Sequence, residues 1–255
     1  MTWTLPMEDD GNTKGDRRRF LQSAGAGALA FALGVLPLGA RGAGKGAGKM
    51  KIGIVGSGNV GGALGAAWVK AGHEVMFSSL HIEHDRALAA RLGPNARAGT
   101  PREAAAFGDV LMVSVPYRAL PDVGRELGSL LEGKVVIDTC NPFPGRDGEI
   151  ATWARQKGAG LASAQLLPGA RIVRAFNAIA AARMGAAHEE PGRVGMPIAG
   201  DDAQAIAAAS RLVRDVGYEP VLIGGLAMGK YLMPGTPLAG EHTPEEIRKI
   251  AATLR

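Results

Sequence analysis

Residues 51–61 read KIGIVGSGNVG, and this stretch constrains the fold of the chain more than any other part of it. Residues 52–55 are apolar or small and predict a buried strand, residues 59–71 predict a helix that Gly72 ends, and residues 74–78 predict a second strand. A glycine turn between a strand and a helix is typical of phosphate-binding sites, because backbone N–H groups at the helix start attract negative charge. The alternative is an ordinary turn in a chain that has 38 glycines.

Each glycine of this GxGxxG pattern has an expected role. Gly56 permits the tight turn after the strand. Gly58 has no side chain, so a pyrophosphate can approach the backbone. Gly61 lets the following helix pack closely on the strand. The pattern therefore predicts a dinucleotide site at the first turn of the fold.

The end of the second predicted strand bears on the choice of nucleotide. A site for NAD usually has Asp or Glu about 20 residues after the glycines, where it accepts from the ribose 2′-hydroxyl. Here Ser78 and Ser79 end the strand, and no carboxylate stands there. Their hydroxyls, with His81 and the weaker candidate Arg86, could bind a 2′-phosphate. The sequence therefore favours NADP over NAD, although serines at a strand end are also common in plain turns.

Composition excludes several classes of protein. The chain has 255 residues, of which 46% are hydrophobic and only 5% aromatic, so a core of Ala, Val, Leu and Ile is expected. The net charge of +5 is not gathered into a block outside the N-terminal region, so no nucleic-acid partner is expected. Cys140 is the only cysteine, which excludes an intrachain disulfide. The five histidines are scattered, and no metal site is predicted.

The first fifty residues have the layout of an export signal. Residues 17–21 read RRRFL, a twin-arginine pattern, and the weakly apolar run 23–40 follows, ending in Leu-Gly-Ala as a cleavage site. We therefore expect a signal peptide at 1–40, a Gly/Ala/Lys linker at 41–50, and export by the twin-arginine machinery to the periplasm or beyond. An uncleaved anchor and a basic N-terminus of a cytoplasmic protein are the alternatives.

From residue 51 onward, predicted strands and helices alternate. Further strands are expected at 110–115, 134–138, 171–175, 196–200 and 219–223, and helices at 119–131, 149–157 and 203–216. This alternation predicts an α/β fold of the Rossmann type, with a doubly wound, mostly parallel sheet over residues 51–225. Residues 226–255 are a C-terminal extension, in which Thr243-Pro244-Glu245-Glu246 predicts the capped start of a short helix.

Five stretches together resemble the family of NADPH-dependent reductases of the deazaflavin coenzyme F420. They read KIGIVGSGNVGGALG, VSVPYRALPDV, GKVVIDTCNPF, LPGARIVRAFNAI and MPIAGDDAQA, and the similarity runs from about residue 51 to about residue 223. The resemblance implies a Rossmann domain that binds NADP at the glycine turn. It also implies that a hydride passes between the nicotinamide and a deazaflavin lying against it.

The resemblance also places binding residues. It implies pyrophosphate contacts from Ser57, Gly58, Asn59 and Val60, beside Gly56 and Gly61 of the turn, and a 2′-phosphate site at Ser78 and Ser79. It implies that Val115, Pro116 and Tyr117 line the ribose and nicotinamide, that Asn141 and Pro142 frame the nicotinamide, and that Ala175, Phe176 and Asn177 close the far side. The alternative is that both prolines merely end strands and that Phe176 is a core residue.

No acid–base pair stands out, and direct hydride transfer needs none, so no catalytic residue is assigned. The expected acceptor is a small molecule, either coenzyme F420 or a flavin. A reductase of small carbonyls or imines is an alternative that would need a proton donor, for which Tyr117, His188 and Lys230 are candidates. A non-catalytic NADP-binding sensor or scaffold is another. A homodimer is one expected assembly.

Overall fold

The computed structural model of the protein describes residues 48–184 and 192–254. The twin-arginine pattern, the predicted signal peptide and most of the predicted linker lie outside the described residues, as does His188. The described residues belong to one compact unit, residues 46–255. None of the helices in these two ranges is both long and apolar enough to cross a membrane.

The described strands form one sheet of eight. Their bounds are β1 (Lys51–Val55), β2 (Glu74–Ser78), β3 (Ala96–Ala98), β4 (Val110–Val113), β5 (Val135–Asp138), β6 (Arg171–Arg174), β7 (Gly195–Gly200) and β8 (Glu219–Leu222). The spatial order is β3-β2-β1-β4-β5-β6-β7-β8. Every neighbouring pair is parallel except β6 with β7, which is antiparallel. The predicted mostly parallel Rossmann-type sheet is confirmed.

Helices of the described chain cover this sheet. They are α1 (Asn59–Lys70), α2 (Ile82–Leu92), α3 (Pro101–Phe107), α4 (Leu120–Leu127), α5 (Pro144–Asp147), α6 (Glu149–Lys157), α7 (Ala159–Leu166), α8 (Ala203–Asp215) and α9 (Pro244–Ala251). The predicted capping box at Thr243 is present, and Thr100 forms a second one at the start of α3. Asp202 caps α8 by accepting from Ala205 N at 2.7 Å. These caps satisfy N–H groups that would otherwise lack a partner.

The helix predicted at 119–131 is divided in the structure. A 3₁₀ turn at Tyr117–Ala119 precedes α4, and a second 3₁₀ turn follows at Gly128–Leu131. The reason is Gly128, whose φ of +48° cannot continue a right-handed helix. The predicted strand 110–115 stops at Val113, which leaves Ser114, Val115 and Pro116 as a loop at the edge of the sheet.

The core has one layer on each face of the sheet, because successive strand residues point to opposite sides. Ile52, Ile54 and Met112 belong to the layer under α1 and α8, whereas Leu111 and Val113 belong to the layer under α4 and α7. A third cluster joins β7 and β8 to the C-terminal extension. The extension therefore packs on β7 and β8, and its first residues also reach the layer under α4 and α7, which contains Leu226.

Candidate functional site

A cleft of about 220 Å³ lies where β1, β4 and β5 end. Parallel strands of an open sheet place their carboxyl ends at one edge, which is where ligands of such folds bind. The residues that line the cleft are Gly58, Asn59, Val60, Ser114, Val115, Pro116, Thr139, Asn141, Phe143 and Arg146. Six of the predicted site residues are therefore brought together in one cavity: Gly58, Asn59, Val60, Val115, Pro116 and Asn141.

The room for a side chain differs among the three glycines of the turn. Gly56 has a φ of +99°, and an added Cβ would lie 2.1 Å from the carbonyl oxygen of Ser114. A Cβ on Gly61 would lie 2.1 Å from the carbonyl oxygen of Gly56, so the close approach of α1 to the strand needs glycine. A Cβ on Gly58 would meet nothing within 4 Å. Gly58 is therefore not required by packing, and the space above it opens on the cleft.

The start of α1 presents its backbone to the same space. Gly58 is the N-cap residue, and no side chain caps the helix. The first turn of a helix has N–H groups without intrahelical partners, and the helix dipole adds partial positive charge there. This end of α1 therefore suits the negative charge of a phosphate.

Beside the glycine turn lies a group of three residues that we name the serine–aspartate cluster: Ser57, Ser79 and Asp85. The Asp85 side chain is fully buried. One carboxylate oxygen accepts from Ser57 Oγ in a short hydrogen bond, and the other accepts from Ser79 Oγ at 2.8 Å. Ser79 Oγ also accepts from the backbone N–H of His81 at 3.0 Å. The hydroxyl protons of both serines are thus donated to one buried carboxylate.

Ser78 does not face the cleft. Its side chain is fully buried, and its hydroxyl donates to the carbonyl oxygen of Ile54 at 2.6 Å. The interpretation of Ser78 as a ligand of a 2′-phosphate is therefore wrong for its side chain, because the hydroxyl proton is already used between β1 and β2. Arg86, the weaker candidate, pairs with Glu83 on the exposed side of α2.

Asp85 was not predicted as a site residue, because the expected place for a carboxylate is the end of β2. Asp85 lies on the next helix, where it occupies the buried stripe that also contains Ala89. The signal that could have identified Asp85 is its place on the face of α2 where the helical spacing predicts an apolar residue. No conclusion about NADP follows from the absence of a carboxylate at residues 76–81, since α2 supplies one from farther along the chain.

A second polar group, the asparagine cluster, lies beyond the ends of β5 and β6 and comprises Asn141, Arg174 and Asn177. The Arg174 side chain is fully buried, and its Nη1 pairs with the buried carboxylate of Asp138 at 2.5 Å. Its Nη2 donates to Asn141 Oδ1 at 3.2 Å. Asn141 Nδ2 in turn donates to the carbonyl oxygen of Asn177 at 2.7 Å. Arg174 therefore fixes the orientation of the Asn141 amide at the wall of the cleft.

Asn177 has an unsatisfied side chain. It is 2% exposed, and neither its Nδ2 nor its Oδ1 has a hydrogen-bond partner among the described residues. Burying an amide without a partner costs roughly 1–3 kcal/mol, so such groups in native folds call for an explanation. A ligand amide that reached Asn177 could satisfy both atoms.

Phe176 lies in the core instead of at the wall of the site. Its ring packs edge-on between Trp68 and Tyr218, with centroid distances of 6.2 Å to each. Its φ is +65°, which is rare for a residue with a side chain and turns the ring away from the edge of the sheet. Ala175 is also fully buried. The interpretation of the Phe176 side chain as a cofactor contact is therefore wrong, and the core alternative holds.

Tyr117 is likewise a core residue and not a wall of the cleft. Its ring is fully buried, and its hydroxyl contacts the carbonyl oxygen of Ala159 at 3.2 Å and Ser163 Oγ at 3.1 Å. Burial, together with the nearby charge of Asp138, raises the pKa of Tyr117 well above its ordinary value. Tyr117 is therefore not a proton donor to the cleft. Lys230, the other described candidate, lies on the surface over the ring of Tyr231.

Arg146 lines the cleft beside β5, and the sequence pattern did not predict this role. Arg146 lies over the ring of Phe143, with 5.0 Å between the guanidinium carbon and the ring centroid, and Phe143 is 38% exposed. Arg146 Nη2 donates to the carbonyl oxygen of Asn141 at 2.8 Å, and Arg155 donates to that of Pro142 at 3.3 Å. Pro142 itself is buried. Phe143 and Arg146 together form an aromatic and cationic platform at the mouth of the cleft.

Asp147 is the carboxylate that holds this platform in place. Burial alone would raise its pKa, but hydrogen bonds from the Arg146 side chain and from the backbone N–H groups of Phe143 and Arg118 outweigh that effect. The pKa of Asp147 therefore lies below its ordinary value of 3.8. Among the residues lining the cleft, only Arg146 has an ionisable side chain, and the described residues contain no group of three side chains arranged to hold a metal.

Comparison with known proteins agrees with this geometry. Residues 51–142 match the model of the family described as NADP oxidoreductase, coenzyme F420-dependent. Metalloreductase STEAP3 of Rattus norvegicus is 29% identical over 177 residues, which are 69% of this chain and 34% of the relative. The chain thus spans about a third of the length of that curated relative.

Two solved structures show a similar fold. One is a candidate F420-dependent NADP-reductase of Arthrobacter sp. FB24, with a TM-score of 0.61 and 21% identity, covering 71% of this chain and 87% of the other. The second is an imine reductase of Myxococcus stipitatus, a variant in complex with NAD⁺. Its TM-score is 0.52 and its identity 21%, and the match covers 70% of this chain and 56% of the other. At these identities the likeness concerns the fold alone. The resemblance to the F420-dependent NADP oxidoreductase family is confirmed over residues 51–142.

Proposed function

We propose that the protein binds a nicotinamide dinucleotide along the cleft and transfers a hydride between its nicotinamide and a conjugated small-molecule acceptor. The family model points to the NADP(H) nucleotide and to a deazaflavin of the coenzyme F420 type as the acceptor. The observation that carries the proposal is the junction of the α1 N-terminus with the ends of β4 and β5 in one cleft.

The residues present fit a dinucleotide at both ends of the cleft. At one end, the open space above Gly58 and the uncapped start of α1 suit a pyrophosphate. At the other end lies Asn141, which donates to the carbonyl oxygen of Asn177; the buried amide of Asn177 would pair with the carboxamide of a nicotinamide that reached it, since two amides can exchange a donor and an acceptor. Val115 and Pro116, between these ends, would contact the ribose next to the nicotinamide.

The chemistry supplied by the bound nucleotide is the donation or acceptance of a hydride at its nicotinamide ring. The protein's part is to hold the two reacting carbons close and to exclude water. Transfer to a conjugated ring carbon requires no proton donor at the reacting atom. This agrees with a cleft in which Arg146 is the sole ionisable lining side chain, and it disfavours the carbonyl and imine alternatives, which need a general acid.

The platform of Phe143 and Arg146 would receive the acceptor. An exposed aromatic ring with a guanidinium over it offers stacking for a flat heterocycle and charge for an anionic substituent. Arg118 and Arg155 add positive charge nearby, and Asp147 is the carboxylate bonded to Arg146 among the described residues. The chemistry of this border therefore fits a planar, anionic acceptor.

The test is a turnover assay with purified protein and both NADPH and NADH as donors. Oxidised coenzyme F420, a flavin, and a cyclic imine are supplied separately as acceptors, and loss of the reduced-nicotinamide absorbance is followed. We expect turnover with the deazaflavin and little with the imine. Turnover with the imine alone would support the imine reductase alternative, and nucleotide binding without turnover on any acceptor would support a sensor or scaffold.

We also propose that the protein is exported folded, with its nucleotide bound, by the twin-arginine route. The support is the RRRFL stretch at residues 17–21 ahead of a weakly apolar run. Replacing Arg17 and Arg18 by Lys should retain the protein in the cytoplasm with an intact N-terminus. Finding the unaltered protein in the cytoplasmic fraction would remove this proposal and leave the proposed hydride transfer unaffected.

A further inference from the structure

The serine–aspartate cluster bears on which nucleotide the site accepts. Ser79 is partly exposed, whereas Ser57 and Asp85 are buried, so Ser79 is the member of the cluster that a ligand can reach. The position is the end of β2, beside the glycine turn, where the ribose of the adenosine lies in dinucleotide-binding folds. Whether Ser79 can donate or accept a hydrogen bond therefore decides which groups on that ribose can bind.

Asp85 determines what Ser79 can offer. A hydroxyl has one proton to donate, and a carboxylate can only accept. Because Ser79 donates to Asp85 at 2.8 Å and accepts from the His81 N–H at 3.0 Å, its remaining capacity toward a ligand is as an acceptor. Ser57 is committed to the same carboxylate, and Ser78 donates to the backbone of β1. None of the three serines has a proton left for a phosphate oxygen.

We propose that Asp85 is a positioning residue that makes this site select the unphosphorylated nucleotide, NAD(H), over NADP(H). The proposal rests on the proposed dinucleotide binding at the glycine turn. A ribose 2′-hydroxyl can donate to Ser79 Oγ, whereas a 2′-phosphate has only acceptor oxygens at neutral pH and would meet acceptors. The buried negative charge behind Ser79 adds repulsion. The preference is the reverse of the one that the sequence favours.

The side chains around Ser79 do not supply the positive charge that would favour a 2′-phosphate. The residue after Ser79 is Leu80, which is 95% exposed and carries no charge. Arg86 is paired with Glu83. The imidazole of His84 lies 3.6 Å from Asp85 Oδ1. Among the described residues of this end of the site, Arg86 is the arginine named as a candidate, and its guanidinium is already paired with a carboxylate.

The test compares the affinities of NAD⁺ and NADP⁺ for the full chain by calorimetry. We expect NAD⁺ to bind about tenfold more tightly, because its 2′-hydroxyl gains a hydrogen bond to Ser79 that NADP⁺ cannot form. In Asp85→Asn, the neutral amide must donate to one serine, which frees that hydroxyl to donate to a phosphate. The ratio of the two affinities should then move toward NADP⁺ by about tenfold or more.

Ser79→Ala supplies a second, independent test, because this partly exposed position tolerates alanine even if Asp85→Asn fails to fold. We expect weaker binding of NAD⁺ and unchanged binding of NADP⁺, with Ser129→Ala on the exposed turn after α4 as the unaffected control. Preferential loss of NADP⁺ affinity in Ser79→Ala, or a wild-type preference for NADP⁺, would overturn the proposal. Absence of binding by either nucleotide would overturn the proposed function as well, whereas binding without hydride transfer would leave the selectivity proposal standing.

Discussion

The serine–aspartate cluster and the asparagine cluster lie at the same edge of the sheet, but they differ in how their hydrogen bonds are satisfied. In the first, the hydroxyls of Ser57 and Ser79 both donate to Asp85 within the protein. In the second, the buried amide of Asn177 has no partner among the described residues. The hydroxyls of the first cluster are thus satisfied within the protein, whereas the second keeps a buried donor and acceptor without a partner among the described residues.

The largest expected effect comes from removing the cation that supports the asparagine cluster. Arg174→Met leaves the Asp138 carboxylate buried without its cationic partner, and only the backbone N–H of Cys140, at 2.8 Å, remains as a donor to it among the described residues. Breaking such a pair costs about 3–5 kcal/mol. Denaturant unfolding should show this loss in the free energy of unfolding. Arg171→Met on the same strand is the control, because the ion pair of Arg171 with Asp202 is partly exposed and contributes at most about 1 kcal/mol. Equal losses of unfolding free energy in the two variants would contradict the account.

Next in size is the effect of a side chain at Gly58. Gly58→Val should weaken dinucleotide binding by about 100-fold, since even one charge-assisted hydrogen bond to phosphate is worth roughly 1.5–3 kcal/mol. The melting temperature should hardly change, because an added Cβ meets nothing within 4 Å. Gly48→Val, where a Cβ also meets nothing, is the matched control outside the cleft. Unchanged affinity in Gly58→Val would place the nucleotide elsewhere.

Replacing the unsatisfied amide should have opposite effects on stability and on binding. Asn177→Leu removes a buried polar group that lacks a partner, so the ligand-free protein should gain about 1 kcal/mol in its free energy of unfolding. Nucleotide affinity should fall by about tenfold, because the carboxamide loses its partner. As a control, Asn95→Leu removes an amide that already accepts from Lys49, so no gain is expected. If Asn177→Leu instead destabilised the protein and left binding unchanged, the amide would have a structural partner and no role with ligand.

The smallest effect concerns acid stability at the Phe143–Arg146 platform. The pKa of Asp147 is lowered in the folded protein from its ordinary value of 3.8. Its contribution to stability is therefore fully present above pH 3.8 and is lost as the pH falls through the folded pKa. Unfolding free energies of wild type and Asp147→Asn should differ at pH 6 and converge in strong acid. A difference that stayed constant with pH would show that the carboxylate charge has no part in holding Arg146.

Much of the fold could be predicted because parallel strands buried on both faces are short apolar runs, as at residues 110–113 and 135–138. Three elements had no such signal. β3 is only Ala96–Ala98, α5 has four residues, and the sequence of α7, AGLASAQL, is apolar around the whole helix. Their existence depends on the neighbours they pack against, which a reading of local periodicity does not include.

The parts of the candidate site formed by the backbone could be predicted from the sequence. The parts that depend on the direction of a side chain could not. The glycine turn follows from local geometry, and it opens on the cleft as expected. Tyr117 and Phe176 stand at strand ends, yet both rings turn into the core, Phe176 through its positive φ. Asp85 reaches the turn only because α2 packs beside it, so no spacing within the sequence identifies it as a partner of Ser57.

The proposed reaction is a direct hydride transfer between a bound nicotinamide and the acceptor, with no protein acid involved. The most direct test uses NADH or NADPH that carries deuterium at the transferred position of the nicotinamide, with oxidised coenzyme F420 as acceptor. Mass spectrometry of the reduced acceptor should show one deuterium per molecule, with none lost to water. Deuterium appearing in the solvent, or an acceptor reduced without label, would contradict the account.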